Sequence, residues 1–191
     1  MFDLLPLPAT TEALGEFGAY TLSEITENAL VSLAVPKARL EHARQFVWEQ
    51  YGLELPQPES MCVNYDQRYA TFWMARSQWM LERPESHDPN WAATLAAENI
   101  GYVTEQTGAW VRLDLKGPML PMLFQRLANV PSGRLVEPTA MRTAIHHMGV
   151  FVVCRSSCIS IYGPRSSADS LARSVKFAML TINGLENKYE V

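Results

Sequence analysis

The chain has 191 residues, 48% of them hydrophobic and 19% charged, with a formal net charge of -4. These values suit a globular protein that buries a core without staples, and they exclude a disordered chain. The acidic balance argues against a nucleic-acid partner, which needs a basic face, and no apolar run reaches the length of a membrane span.

The N-terminus lacks a basic segment followed by an apolar core, so no secretory signal is read there. Cys62, Cys154 and Cys158 are an odd number of thiols, which fits a reduced, cytoplasmic protein better than a disulfide framework. Cys154 and Cys158 flank a turn at Ser156-Ser157, placed to face each other across a hairpin.

Residues 1–20 contain Pro6, Pro8, Gly15 and Gly18 and hold no helical or strand period. Phe2, Leu4, Leu5, Leu7, Leu14, Phe17 and Tyr20 are too apolar for a solvated tail, so the segment reads as an extended arm that covers something. Strands are expected over Tyr20–Ile25 and Ala29–Val35. Pro36 then opens a helix with Leu40, Ala43, Val47 and Tyr51 on one face and Gly52 as its C-terminal stop. Met61–Tyr65, Ala70–Met74 and Trp79–Glu82 read as short strands, the last two carrying the large apolar rings of Trp73 and Trp79. Asp88-Pro89 opens a second helix, with Asp88 as N-cap.

Val111–Ala128 organises the remainder. Val111, Leu113 and Leu115 alternate with Arg112, Asp114 and Lys116, the period of a half-buried strand. Gly117-Pro118 ends it, and Leu120, Leu123, Phe124 and Leu127 follow at helical spacing, with Pro121 tolerated in the first turn. Met141–His147 and Val150–Arg155 read as a hairpin about Gly149. Cys158–Tyr162 adds a strand, and a last helix turns Leu171, Val175, Ala178 and Met179 inward. Short strands in pairs favour antiparallel sheets, so the fold class is α+β with helices packed on one face. The expected division is an arm over 1–20, a domain over 21–184 with subdomains meeting near 100–140, and a loose polar tail over 185–191.

The chemistry-bearing residues do not combine into a catalytic set. His146 and His147 are adjacent in an expected strand, so their rings point to opposite faces. No spacing matches a zinc site, a phosphate loop or a nucleophile elbow. The segment Gly163–Ala168, GPRSSA, enters a helix N-terminus and makes Arg165, Ser166 and Ser167, with Arg142, the nearest approach to an anion site; capping by either serine accounts for the same residues. Glu105 and Asp114 are expected to pair with Arg112 and Arg142 across strands. Phe2, Phe17 and Trp110 are the candidate partner anchors, being aromatic. No catalytic or metal-binding residue is assigned.

Four segments, in order, carry a family resemblance: ATFWMARSQWMLE (Ala70–Glu82), VTEQTGAWVRLDLKGPMLPMLFQRL (Val103–Leu127), MRTAIHHMGVFVV (Met141–Val153) and GPRSSADSL (Gly163–Leu171). They resemble the gamma subunit of heterotetrameric sarcosine oxidase, itself distantly similar to the folate-binding aminomethyltransferase (T-protein) of the glycine cleavage system. The resemblance implies ferredoxin-like antiparallel subdomains and a non-catalytic subunit assembled with alpha, beta and delta chains. It implies an oxidase that turns sarcosine, oxygen and tetrahydrofolate into glycine, hydrogen peroxide and 5,10-methylenetetrahydrofolate. FAD, FMN, NAD, zinc and tetrahydrofolate would then sit on the other subunits, with no cofactor in this chain. The alternative is a small folate- or anion-binding module.

Overall fold

The computed structural model describes residues 14–84 and 90–189, and of the side chains those up to residue 184. The chain divides into two compact units, one formed by residues 1–26 with 108–191 and the other by residues 27–107. The boundaries differ from a domain over 21–184: the ends of the chain build one unit and the intervening segment builds the other. Both units are α+β, each with one antiparallel sheet.

The second unit runs β3 (Ala29–Ala34), α1 (Leu40–Tyr51), β4 (Met61–Val63), β5 (Ala70–Ala75), β6 (Gln78–Arg83), α2 (Trp91–Ala97) and β7 (Tyr102–Glu105). Its strands lie in the order β4-β5-β6-β3-β7. Without β4 this is the split βαβ arrangement of a ferredoxin-like unit. A 3-10 turn at Lys37–Arg39 follows Pro36 and leads into α1, which Gly52 ends at φ 63 as expected. Val31, Leu33, Trp79 and Leu81 on one sheet face pack with Ala43 and Val47 of α1 and Trp91 and Leu95 of α2. The Trp79 indole donates to the Pro56 carbonyl at 2.8 Å, satisfying its polar edge inside this core. Trp73 is half-buried, a smaller contribution than its size suggests. The expected Asp88-Pro89 helix start lies outside the described residues; the helix itself begins at Trp91.

The first unit contains β1 (Gly15–Phe17), β2 (Tyr20–Ile25), β8 (Trp110–Lys116), α3 (Leu120–Leu127), β9 (Ala140–Ile145), β10 (Met148–Cys154), β11 (Ile159–Pro164) and α4 (Ala168–Tyr189). Its strand order is β1-β2-β8-β11-β10-β9. With β2 taken as the final strand, β8-α3-β9-β10-β11-α4 repeats the topology of the other unit strand for strand. The order β9-β10-β11-β8-β2 matches β4-β5-β6-β3-β7. Residues 15–17, expected as part of an arm, are sheet, and Tyr20 opens β2 as expected. The helix α4 continues to Tyr189, past the point where a polar tail was expected.

The period-2 reading of β8 holds. Val111, Leu113 and Leu115 are fully buried against Leu123, Phe124 and Leu127 of α3 and Leu171, Val175 and Met179 of α4. Met119 caps α3 in the left-handed region at φ 47, and Pro121 sits within the first turn, where missing amides cost least. Gly117 has φ 146, and a Cβ there would lie 2.3 Å from Cδ1 of the buried Tyr20 ring. Both the dihedral and the ring require glycine. Gly117→Ala is expected to destabilise the protein by about 1–3 kcal/mol, read as a lower urea midpoint at unchanged slope.

Candidate functional site

The residues with chemical potential in the first unit gather on the sheet face opposite α3 and α4. Alternation along β8 sends Arg112 and Asp114 there. The β8–β11 register sets Ser160 opposite Asp114 and Tyr162 opposite Arg112. Arg112 and Asp114 pair along one strand, not across strands as expected: Nε donates to Oδ1 at 2.8 Å and Nη2 to Oδ2 at 2.7 Å. Ser160 Oγ donates to the same Oδ1 at 2.7 Å. Arg155, just past β10, donates Nε to Ser160 Oγ at 2.9 Å and Nη2 to the Tyr162 hydroxyl at 2.7 Å.

Asp114, Ser160 and Tyr162 are all buried. A buried carboxylate is stable only when its lone pairs are met by donors, and here a bidentate guanidinium and a hydroxyl meet them. The same saturation limits its chemistry. Asp114 has donors on both oxygens, and Ser160 gives its proton to a carboxylate while accepting from a guanidinium. This is the bonding of a structural clamp. Composition gave no signal for Arg155, Ser160 and Tyr162. The one available sign was Ser160 between Ile159 and Ile161, a polar residue at a regular position in an apolar strand.

The other sequence candidates are dispersed. His146 and His147 form the β9–β10 turn at φ 45 and 70, both exposed, and not a strand with rings on opposite faces. Two successive left-handed residues match the two-residue hairpin turn, for which Asn-Gly is the usual signal, so the histidine pair concealed it. Arg165 Nη1 donates to Glu24 Oε1, and its Nη2 donates to the Trp110 carbonyl at 2.8 Å. Ser166 and Ser167 stand on the 3-10 turn that leads into α4. Arg142 lies over the Phe151 ring at 6.0 Å. Glu105, in the second unit, accepts the Thr107 amide at 2.7 Å. Of the candidate anchors, Phe2 lies outside the described residues. Phe17 carries Lys176 over its ring at 5.0 Å and its carbonyl accepts from Asn183 at 2.6 Å. Trp110 packs on Phe151 with ring centroids 5.3 Å apart. Among the described residues no group of three or more His, Cys, Asp or Glu is placed to hold a metal ion.

A cleft of about 340 Å³ opens between the start of α3 and the β10–β11 turn, with Met119, Glu137, Cys154, Arg155 and Cys158 among its walls. Cys154 and Cys158 do not face each other. Cys154 pairs with Ile159 and joins the helix-side core, whereas Cys158 keeps company with Ser160 at 3.9 Å on the opposite face. Burial pushes the Cys154 thiol up to about 11, with Glu137 adding repulsion. Burial and the Asp114 charge also raise Cys158. Cys62 is pushed up to about 11, chiefly by burial.

Four outcomes follow from these environments. Asp114→Ala is expected to cost about 3–5 kcal/mol in urea unfolding, because it strands a guanidinium and a hydroxyl in the interior. Arg112→Met combined with Asp114→Ala should cost less than the sum of the single changes. Iodoacetamide at about pH 8 should label the native thiols far more slowly than the unfolded ones. Between pH 9.0 and about 11 unfolded thiols ionise while Cys154 stays protonated, so stability falls as pH rises through that window.

No protein-family model matches the sequence, and no curated protein sequence matches it. Solved structures do share the fold. A chain of the heterotetrameric sarcosine oxidase from Corynebacterium sp. U-96, in complex with pyrrole 2-carboxylate, superposes with a TM-score of 0.72 at 19% identity, covering 88% of this chain and 88% of that one. The glycine cleavage system aminomethyltransferase T from Bartonella henselae superposes with a TM-score of 0.57 at 16% identity, over 85% of this chain. The match takes in 46% of the aminomethyltransferase, so this chain spans about half its length. Both agree with the resemblance carried by the four sequence segments. The chain thus has the α+β fold, two antiparallel sheets with their helices, that is found in a sarcosine oxidase chain and in part of a T-protein.

Proposed function

We propose that this chain is the gamma-type subunit of a heterotetrameric sarcosine oxidase, a non-catalytic part assembled with alpha, beta and delta chains in the cytoplasm. The complex would oxidise sarcosine with oxygen to glycine and hydrogen peroxide and pass the one-carbon unit to tetrahydrofolate. FAD, FMN, NAD, zinc and tetrahydrofolate would be held by the other chains. The observation that carries this reading is the reciprocal cover of 88% with a chain of such an oxidase: the fold corresponds chain for chain, not domain for part of a chain.

The four segments of the family resemblance support it. Ala70–Glu82 spans the β5–β6 hairpin, Val103–Leu127 runs from β7 to α3, Met141–Val153 is the β9–β10 hairpin, and Gly163–Leu171 joins β11 to α4. Conversely, the Asp114 cluster uses its donors and acceptors on itself. The folate- or anion-binding alternative has less behind it, since Arg165 is committed to Glu24 and the Trp110 carbonyl and Arg142 lies on Phe151.

Affinity-tagged chain co-expressed with the alpha, beta and delta chains of the same source should carry them through a sizing column as one species with sarcosine oxidase activity. Assembly and full activity of the other three chains while this one elutes alone would overturn the proposal.

A further inference from the structure

One of the chain's five tryptophans stands outside the core. Trp48, on α1, is 59% exposed, whereas Trp79 and Trp91 are buried and Trp73 and Trp110 are half-buried. A groove of about 340 Å³ opens beside it, lined by Arg44, Trp48, Leu53, Glu54, Leu55 and Gln57. Local chain geometry builds this groove. Gly52 closes α1 at φ 63, its amide donating to the Trp48 carbonyl at 2.9 Å, and residues 53–57 return past the indole. Leu53 and Leu55 are buried, and Glu54 between them is exposed. The segment is pinned from the core side: Trp79 Nε1 donates to the Pro56 carbonyl at 2.8 Å and Cys62 Sγ to the Glu54 carbonyl at 3.1 Å.

The groove holds one charge of each sign, and the positive one is already answered. Arg44 Nη1 donates to Glu41 Oε1 at 2.9 Å. Among the described residues the Glu54 carboxylate makes no hydrogen bond or ion pair. Burial holds the Cys62 thiol up at about 11, and the Glu54 charge adds to it. The surroundings carry the same sign as Glu54. From Glu41 to Arg68 the exposed acids are Glu41, Glu49, Glu54, Glu59 and Asp66, against two arginines and no lysine. An indole face and an unanswered carboxylate over an aliphatic floor are what a guanidinium recognises. It stacks on the ring and donates paired N–H groups to the carboxylate.

We propose that this groove takes an arginine side chain of a partner chain, its guanidinium on the Trp48 indole and its N–H groups on Glu54. The inference rests on the subunit reading and goes further by naming one docking surface and the side chain that fills it. Charge complementarity selects the cation. An acidic segment would meet Glu54 and its acidic surroundings, and the one arginine in the groove is engaged by Glu41. Trp and Arg are the residue types that carry most binding energy at interfaces. Because residues 53–57 are held before a partner arrives, little ordering opposes binding.

The test uses full-length chain co-expressed with the alpha and beta chains of the same source, comparing wild type with Glu54→Lys, Glu54→Gln and Trp48→Ala. Wild type should retain its partners at about 0.15 M NaCl. Glu54→Lys should retain at least about tenfold less, with an unchanged melting temperature, because the residue is exposed. Glu54→Gln, which places no new charge, should fall between the two and serves if Glu54→Lys fails to fold. Trp48→Ala should lose partners as Glu54→Lys does, which charge steering alone would not produce. Hydroxyl-radical oxidation of Trp48, read by mass spectrometry, should drop from the full-length chain alone to the complex. Glu54→Lys retained as well as wild type, or better, as an acidic occupant would have it, overturns the groove alone. So does a Trp48 that stays as reactive in the complex as outside it. A wild-type chain that elutes without its partners overturns the subunit reading and the groove with it.

Discussion

One strand has to satisfy two opposite demands. β8 turns Val111, Leu113 and Leu115 toward α3 and α4 and turns Arg112 and Asp114 the other way, where Asp114 is buried too. The apolar side is a matter of area, about 25 cal/mol for each Å² removed from water. The polar side is a matter of geometry. A carboxylate in that position is tolerable only because Arg112 reaches it from two residues away and the β11 register sets Ser160 opposite. A slip of one residue between β8 and β11 would expose the apolar set and separate the clamp from its hydroxyl. The bonds of Asp114 are thus met only in this register of β8 and β11.

The duplicated topology explains why the chain doubles back on itself. The second unit is continuous, with β7 supplying the final strand beside β3. In the first unit the equivalent place beside β8 belongs to β2, which comes from the start of the chain. The sheet of that unit is thus complete only when sequence on both sides of the second unit has met. Further ties hold the join: Arg165, at the entry to α4, reaches Glu24 of β2, and Asn183 of α4 donates to the Phe17 carbonyl. Contacts of such sequence separation form late and slow folding, whereas the second unit relies on more local pairs.

Sequence patterning revealed what depends on neighbours along the chain. β8, the Gly117-Pro118 break and α3 were legible because alternation, a breaker and a 3.6-residue period follow one another without interruption. Gly52 was legible for the same local reason. The β9–β10 turn was not, because two histidines occupy left-handed positions that Asn or Gly usually mark. Phe17 read as part of an arm although Gly18, at φ 62, marks the two-residue turn that pairs residues 15–17 with β2; only the contacts with α4 lie far off in sequence. The Arg112–Asp114–Ser160–Arg155–Tyr162 cluster stayed hidden for a related reason. Charges in strands announce that partners are needed, but only the register tells which ones. Pairing along β8 and pairing across strands give the same amphipathic pattern.

The division of charge between interior and surface has a consequence for how such a chain acts. Arg155 and Arg165 come from the same acid-poor stretch as Arg126 and Arg142, yet the first two face internal acceptors and the last two face solvent. An inward arginine with ideal acceptors adds rigidity and offers nothing to a ligand. An outward one beside a sheet edge contributes long-range attraction at small cost to stability, and its attraction is sensed before contact. In a protein of net charge -4, the exposed arginines are a local reversal of sign at the surface of the first unit.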